Sequence, residues 1–290
     1  ETVLIIDEVE NGLEPYRLRT LLNELRAMFS ENGQVFMTTH SPTTLVELDA
    51  KHLYRVLSRS GSVSLEGLVC ESKTVSDGMQ RTVRKQPEAF LCPRIVLCEG
   101  KTEFGLMKAL DNHLRLKEEF RIASKGVYFA EGEGSNWANR AKVLRRMGYD
   151  VCVVMDHDRK EDEQALPQLR ALRVPVFRWE KGNAIEDQLF ADAPKKTLRS
   201  IIAVVKKLTS SNPLLTALEH LEQNDCIENR ARCAALVKKE GCFKRIDLGE
   251  KLGDLVFQDW DVFPKNSTTY QVITKLKAWI KGEGFRDGSP

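Results

Sequence analysis

The sequence predicts an α/β protein: a parallel sheet flanked by helices, followed by a helical insert and preceded by a smaller, partial α/β unit. Three observations predict it. From Arg94 onward strand and helix patterns alternate strictly, as RIVLCE, a helix over 102–116, GVYFAE, a helix over 136–147, VCVVMD, a helix over 161–172 and VPVFRW. Two of these strands run directly into acidic clusters, RIVLCEGKTEF at 94–104 and VCVVMDHDR at 151–159, and parallel sheets keep their sites at strand carboxyl ends. The 290 residues are 42% hydrophobic, enough to bury a core in one large domain or two ordinary ones.

Ahead of the sheet, VLII at 3–6 reads as a short buried strand and 16–29 as a helix with apolar positions at Leu18, Leu21, Leu22, Leu25 and Phe29. The strand QVFMTTH and a short helix in SPTTLVEL come next, and LYRVLSR and VSLEGLV around Ser60 and Gly61 predict a β-hairpin. The polar stretch 71–92 is expected to be a linker. After Trp179, KGNAIEDQLF leads into a helical region in which Leu198, Ile201, Ile202, Val205 and Leu208 recur at helical spacing. Residues 195–245 hold eleven Lys/Arg against five Asp/Glu, so this insert carries the basic charge. The closing stretch reads as a loop and a helix returning to the sheet. The expected units are 1–70, a linker at 71–92, the sheet domain at 93–194, the basic insert at 195–250 and the returning segment at 251–290. The chain starts on a strand pattern without Met, which reads as a fragment of a longer polypeptide.

A net charge of +2 is too small to argue nucleic-acid binding for the chain as a whole. The seven cysteines form no CxxC pair and have no His at zinc spacing, so they are expected to be reduced, mostly buried cytosolic thiols. No apolar run approaches the ~20 residues of a membrane helix. The expectation is an intracellular protein with no membrane partner.

The acidic clusters carry the chemistry. Glu99 ends one strand and Glu103 follows four residues on, across the Gly100 turn, so both can lie on one side of the strand-to-helix junction. Asp156 and Asp158 are two apart, which at strand period puts them on one face. Four carboxylates gathered there need a hard cation, and all-oxygen ligation suits Mg²⁺ or Mn²⁺ and hence phosphate chemistry.

At the other end, VLIIDEVENGLEP has the form of a Walker B strand, in which Asp7 would hold magnesium and Glu8 would orient water for nucleotide hydrolysis. QVFMTTHSP then ends a second strand at His40, where a switch histidine belongs. Together they resemble the second half of an ABC-type ATPase head, with Asn11 to Pro15 at the D-loop position. Val9 and Glu14 depart from that pattern, which has Pro and His there. GxxxxGK[ST] is absent, so this chain is not expected to hydrolyse ATP by itself, and Asp7, Glu8 and His40 stand as an ATPase remnant.

The pair hhhhEGxxE and hhhhDxD resembles the Toprim domain of topoisomerases, primases and several nucleases. That resemblance implies Glu99, Asp156 and Asp158 as core metal ligands and Gly132 as the glycine turn near them. Glu103, and Glu186 of NAIEDQLF, are the further carboxylates that a second ion would need; Asp187 is the weaker alternative, and Glu186 also reads as an ordinary helix-start acid.

An ABC-type half followed by Toprim is the arrangement of the OLD (overcoming lysogenization defect) family, and the basic insert looks like its class 2 members. The resemblance implies a DNA nuclease acting through two Mg²⁺ or Mn²⁺ ions, with ATP used only by the intact protein. It further implies DNA bound through its backbone, a helicase-like partner, a homodimer or higher oligomer when intact, and a cytoplasmic, nucleoid-associated setting. A C-terminal lysine would stabilise charge at the scissile phosphate; Lys265 is the candidate, with Lys275, Lys277 and Lys281 read as a solvated helix face.

For DNA contact, Lys195, Lys196, Arg199, Lys206 and Lys207 cluster on one predicted helix, whereas Trp137, Trp179 and Trp260 read as core or rim residues. Two other classes remain open. A topoisomerase- or primase-like enzyme would need an activated tyrosine or polymerising machinery, and a non-catalytic recombination or SMC-like scaffold would keep its activity without the acids.

Overall fold

The computed structural model describes residues 2–31, 33–117, 119–159 and 163–283. The first unit holds two short sheets. Strands β1 (Thr2–Ile6) and β2 (Gly33–Met37) pair in parallel, joined through helix α1 (Pro15–Met28). Pro15 opens α1 at a position that needs no N–H, and Leu18, Leu22 and Leu25, one face at helical spacing, are its buried residues. After α2 (Pro42–Glu47) the predicted hairpin forms from β3 (Tyr54–Arg59) and β4 (Ser62–Gly67). Its turn residues Ser60 and Gly61 both have positive φ, +49° and +83°, which matches the right-handed twist of the strands.

The stretch expected to be a linker is a helix. α3 (Lys73–Lys85) is capped by Ser72 Oγ, which accepts the Val75 N–H at 3.3 Å, and its face of Gly78, Met79, Thr82 and Val83 is buried. A turn of 3₁₀-helix over Pro87–Leu91 then buries Ala89 and Phe90 in the same core. Polar composition misled here because half of the buried face is Gly and Thr, and the outer face is charged.

The main sheet has four parallel strands, β5 (Arg94–Cys98), β6 (Val127–Glu131), β7 (Asp150–Met155) and β8 (Val176–Arg178), in the order β6-β5-β7-β8. The connecting helices are α4 (Lys101–Leu116), α5 (Trp137–Arg146) and α6 (Leu166–Ala171). The start of the helix expected over 161–172 lies outside the described residues, and the observed α6 begins at Leu166. Alternation along the strands divides the core in two. Val96, Cys98, Cys152 and Val154 face α4 and the later helices, whereas Ile95, Leu97, Val151, Val153 and Met155 face α3, α5 and α6. The chain leaves β5 towards β6 on one face and leaves β7 towards β8 on the other. A crevice therefore opens between the carboxyl ends of β5 and β7, the topological switch point.

After β8 come α7 (Ile185–Asp192), α8 (Lys195–Lys206), α9 (Asn212–Gln223), α10 (Ile227–Glu240), α11 (Ile246–Gln258) and α12 (Thr268–Lys281). The expected insert limit at 250 falls inside α11, and the region is no appendage. α11 crosses α4 backbone to backbone: a Cβ on Gly105 would lie 2.2 Å from the Ile246 carbonyl oxygen, and one on Gly249 2.3 Å from that of Thr102. α12 lies against the sheet, where Arg94 donates to the Trp279 and Ile280 carbonyls and stacks 4.2 Å over the Trp279 ring.

Of the seven cysteines, Cys98, Cys152 and Cys233 are fully buried and the other four half-buried, all as free thiols. Among the described residues no helix is long and apolar enough to cross a membrane.

Candidate active site

The switch point gathers acids from four segments. Glu99 leaves β5 and is buried, and its Oε2 accepts the Asp156 N–H at 3.0 Å. Glu103 stands in the first turn of α4, where its Oε2 accepts the Gly100 N–H at 3.0 Å. Asp156 leaves β7, and its Oδ1 accepts the Ile185 N–H at the first turn of α7 at 2.9 Å. Glu186 is the next residue of that turn and is also buried.

Burial and neighbouring carboxylates raise Glu103, Asp156 and Glu186. Glu103 is pushed up to about 7 by burial first and then by Glu186, against hydrogen bonds from Gly100 and Asp156 that favour its charge. Asp156 is raised further, by burial and then by Glu103, Glu99, Glu186 and Asp158. Glu186 is raised by burial, with Asp187 and Asp158 adding to it and Lys238 opposing. Burial and the neighbouring Glu103 favour the protonated form of Asp156.

Two cations complete the cluster. Arg159 reaches Glu99, and Lys238 of α10 bridges Asp158 at 3.1 Å and Asp187 at 3.0 Å. Asp187 also accepts the Ala184 N–H at 2.9 Å, which closes the first turn of α7. Between the two aspartates, His157 points away towards the Trp179 carbonyl and Glu163, so it fixes the loop and leaves the carboxylates to the crevice.

As the side chains stand, no group of three or more His, Cys, Asp or Glu among the described residues is arranged to hold a metal ion. Backbone N–H groups, Arg159 and Lys238 hold the acids instead. The donor set nonetheless fits a divalent ion: it is all oxygen, largely buried and held in excess of its internal counter-charge.

The structure thus brings Glu99, Glu103, Asp156 and Glu186 together, with Asp158 alongside at Lys238. Gly132 lies against the end of β5. Its N–H donates to the Cys98 carbonyl at 2.6 Å, and a Cβ there would lie 2.9 Å from that oxygen. Lys265 is exposed in the turn before α12, and among the described contacts none joins it to the acids. Lys238, by contrast, occupies the cluster, and nothing local in the sequence marks it because its partner Asp158 is 80 residues away. Trp137 and Trp179 are core residues, 0% and 2% exposed, and Trp260 stacks on Tyr270 at 4.8 Å. On α8, Lys196 is paired with Asp259 and Lys206 with Glu222, each at 2.6 Å.

A second acidic group forms at the ends of β1 and β2. Thr38 Oγ1 donates to Asp7 at 2.5 Å and accepts the Glu8 N–H at 2.8 Å, while His40 Nε2 lies 3.0 Å from Glu8. Glu10, which sequence reading passed over, holds the His40 loop by accepting the His40 N–H and the Thr39 hydroxyl, both at 2.6 Å.

Two family models match parts of the chain. Residues 1–47 match the family model described as "AAA domain, putative AbiEii toxin, Type IV TA system". Residues 90–158 match "Overcoming lysogenization defect protein-like, TOPRIM domain". Among solved structures, the C-terminal region of the Xanthomonas campestris pv. campestris OLD protein phased with platinum is similar at 16% identity. That match covers 68% of this chain and 97% of the other, with a TM-score of 0.44. The same region phased with mercury gives 12% identity over 67% and 98% of the two chains, with a TM-score of 0.43. No curated protein matches.

Proposed function

We propose that this chain, whose residues 90–158 match an OLD-like Toprim domain and whose residues 1–47 match an AAA domain, is a metal-dependent DNA nuclease. The observation that carries this reading is the convergence of acids from four segments at the switch point, where Glu99, Glu103 and Glu186 are buried and Asp156 is held between Glu99 and the α7 N-terminus. Glu99, Glu103, Asp156, Asp158 and Glu186 would hold Mg²⁺ or Mn²⁺, and five carboxylates are enough for two ions. When bound, such ions supply a nucleophile from water and charge neutralisation at the scissile phosphodiester.

The protein's own residues do the rest. The α7 N-terminus holds Asp156 through the Ile185 N–H, and the Gly100 N–H holds Glu103, which limits how far either carboxylate moves to meet an ion. Lys238, bound to Asp158, is the cation placed to offset charge that develops on the phosphate, and its contacts support it over Lys265 for that role. ATP use belongs to the intact protein, in which Asp7, Glu8 and His40 would meet a nucleotide. The class 2 assignment, a helicase-like partner, a homodimer and a cytoplasmic setting belong to the same proposal.

Plasmid nicking with Mg²⁺ or Mn²⁺ tests it. Wild type cleaves without ATP, and Glu103→Ala and Asp156→Ala lose cleavage. Undiminished cleavage by both variants sinks the assignment. A covalent protein–DNA adduct on denaturant quench would instead indicate topoisomerase-like chemistry.

A further inference from the structure

The helices that flank the glycine turn, α3 and α5, hold eight Lys/Arg and one acid, Asp77. Three of the cations meet at one carboxylate. Glu133 accepts from Arg81 Nε at 3.0 Å, from Lys85 Nζ at 2.9 Å and from Arg140 Nη2 at 2.5 Å, while Lys85 also lies 4.0 Å from Glu131. Three cations against two carboxylates leave the cluster positive. Arg84, on the next part of the same helix, is exposed and adds to it.

The cluster adjoins the acids. Glu133 lies between Gly132 and Gly134, whose N–H groups donate to the carbonyls of Cys98 and Glu99 at 2.6 and 2.9 Å. It does so in the left-handed region, φ +54°, which costs a non-glycine residue roughly 1 kcal/mol, so its ion pairs hold it there. Arg140 is 2% exposed and immobilised, donating to the Glu131 and Gly78 carbonyls at 2.9 and 3.1 Å. Arg81 and Lys85 have side chains 52% and 49% exposed, so they can turn to an outside anion. The three cations hold the Glu133 carboxyl down to about 2, against its burial, which shows how strongly this position favours negative charge.

We propose that Arg81 and Lys85, backed by the fixed guanidinium of Arg140, form a subsite for a backbone phosphate of the DNA strand whose neighbouring phosphodiester lies at Glu99 and Asp156. Glu133 occupies the subsite as an internal counter-ion and yields the two mobile cations when the strand arrives. The DNA track then runs over α3 and α5 rather than over α8. The assignment rests on the nuclease reading, because it takes its ligand from that reading.

Fluorescence anisotropy of a labelled DNA duplex with the full chain in EDTA tests it, alongside plasmid nicking with Mg²⁺. The double variant Arg81→Ala/Lys85→Ala weakens binding about tenfold or more and lowers the slope of log K against log salt by roughly 1.8, two phosphate contacts' worth. Lys195→Ala/Arg199→Ala, with the same change of net charge, stays within about twofold of wild type. Glu133→Gln tightens binding, a result that misfolding would not produce. In nicking, the α3 variant raises KM and leaves kcat near wild type. Equal shifts in the two double variants, or none in either, while wild type still cleaves DNA, overturn the subsite and leave the nuclease reading intact. Wild-type binding through Arg81 and Lys85 without any cleavage supports the subsite and removes the nuclease.

Discussion

Asp156 shows how far one side chain can be committed before any ligand arrives. Its N–H is given to Glu99, its Oδ1 takes the first N–H of α7, and the other acids crowd it. Its place could be read from VCVVMD, because an acid directly after a buried parallel strand has few places to go but the carboxyl edge. Lys238 could not be read that way. It is one of two adjacent lysines near the end of a helix, and only the packing of α10 against α7 brings it to Asp158 and Asp187. If it offsets phosphate charge, Lys238→Ala lowers the cleavage rate by about 10²–10³-fold, as loss of one preorganised donor does, and Lys238→Arg recovers part of it. Lys265→Ala leaves the rate near wild type. Single-turnover cleavage with saturating Mg²⁺ measures both, and a greater loss in Lys265→Ala would restore the lysine that the resemblance first pointed to.

Among the elements, α4 and α11 define how rigidly the acids are held. α4 carries Glu103 in its first turn, and α11 lies against that same end, where Gly105 and Gly249 leave no room for a Cβ. Gly249→Ala must push the helices apart, at a cost of about 1–3 kcal/mol for overpacking. Urea unfolding reads this as a lowered midpoint at unchanged slope, and an unchanged midpoint would contradict the close crossing. The strands and most helices were legible in the sequence because their apolar periodicity is strong: β5 and β7 are almost wholly buried, and α8 repeats Leu198, Ile201, Ile202 and Val205 on one side. The α3 segment was not, because packing against α5 and the hairpin-side core selects Gly78 and Thr82 for smallness rather than hydrophobicity. Nor was the division at 250, since helical periodicity cannot reveal that α11 shares its core with α4.

Across the whole molecule, a sheet covered on both faces confines polar chemistry to one edge, and the acids collect there at a cost in stability. Glu103 and Asp156 have folded values raised above their unfolded ones, so the folded state binds protons that the unfolded chain has released. Stability from this source is present below the unfolded carboxyl value of ~4 and is lost as pH rises through the folded values, about 7 for Glu103. His113, lowered chiefly by burial and then by Lys277, works in the opposite direction, but only below its ordinary value of 6.5. Glu133, held at about 2, contributes above its unfolded value of ~4.5 and loses that contribution progressively as pH falls from there through about 2, below the range tested. Between pH 6.5 and 8 the urea midpoint therefore falls in EDTA, and Mg²⁺ removes most of the fall; a flat or rising midpoint in EDTA would contradict the raised carboxyls of Glu103 and Asp156. The most direct test of the central claim, that the switch-point acids are a cation site, is calorimetric titration of Mn²⁺ into the protein near pH 7 in two buffers of different ionisation enthalpy. The structure predicts binding with proton release in wild type, and loss of both in Asp156→Asn. No binding heat in wild type, or equal binding in Asp156→Asn, would contradict it.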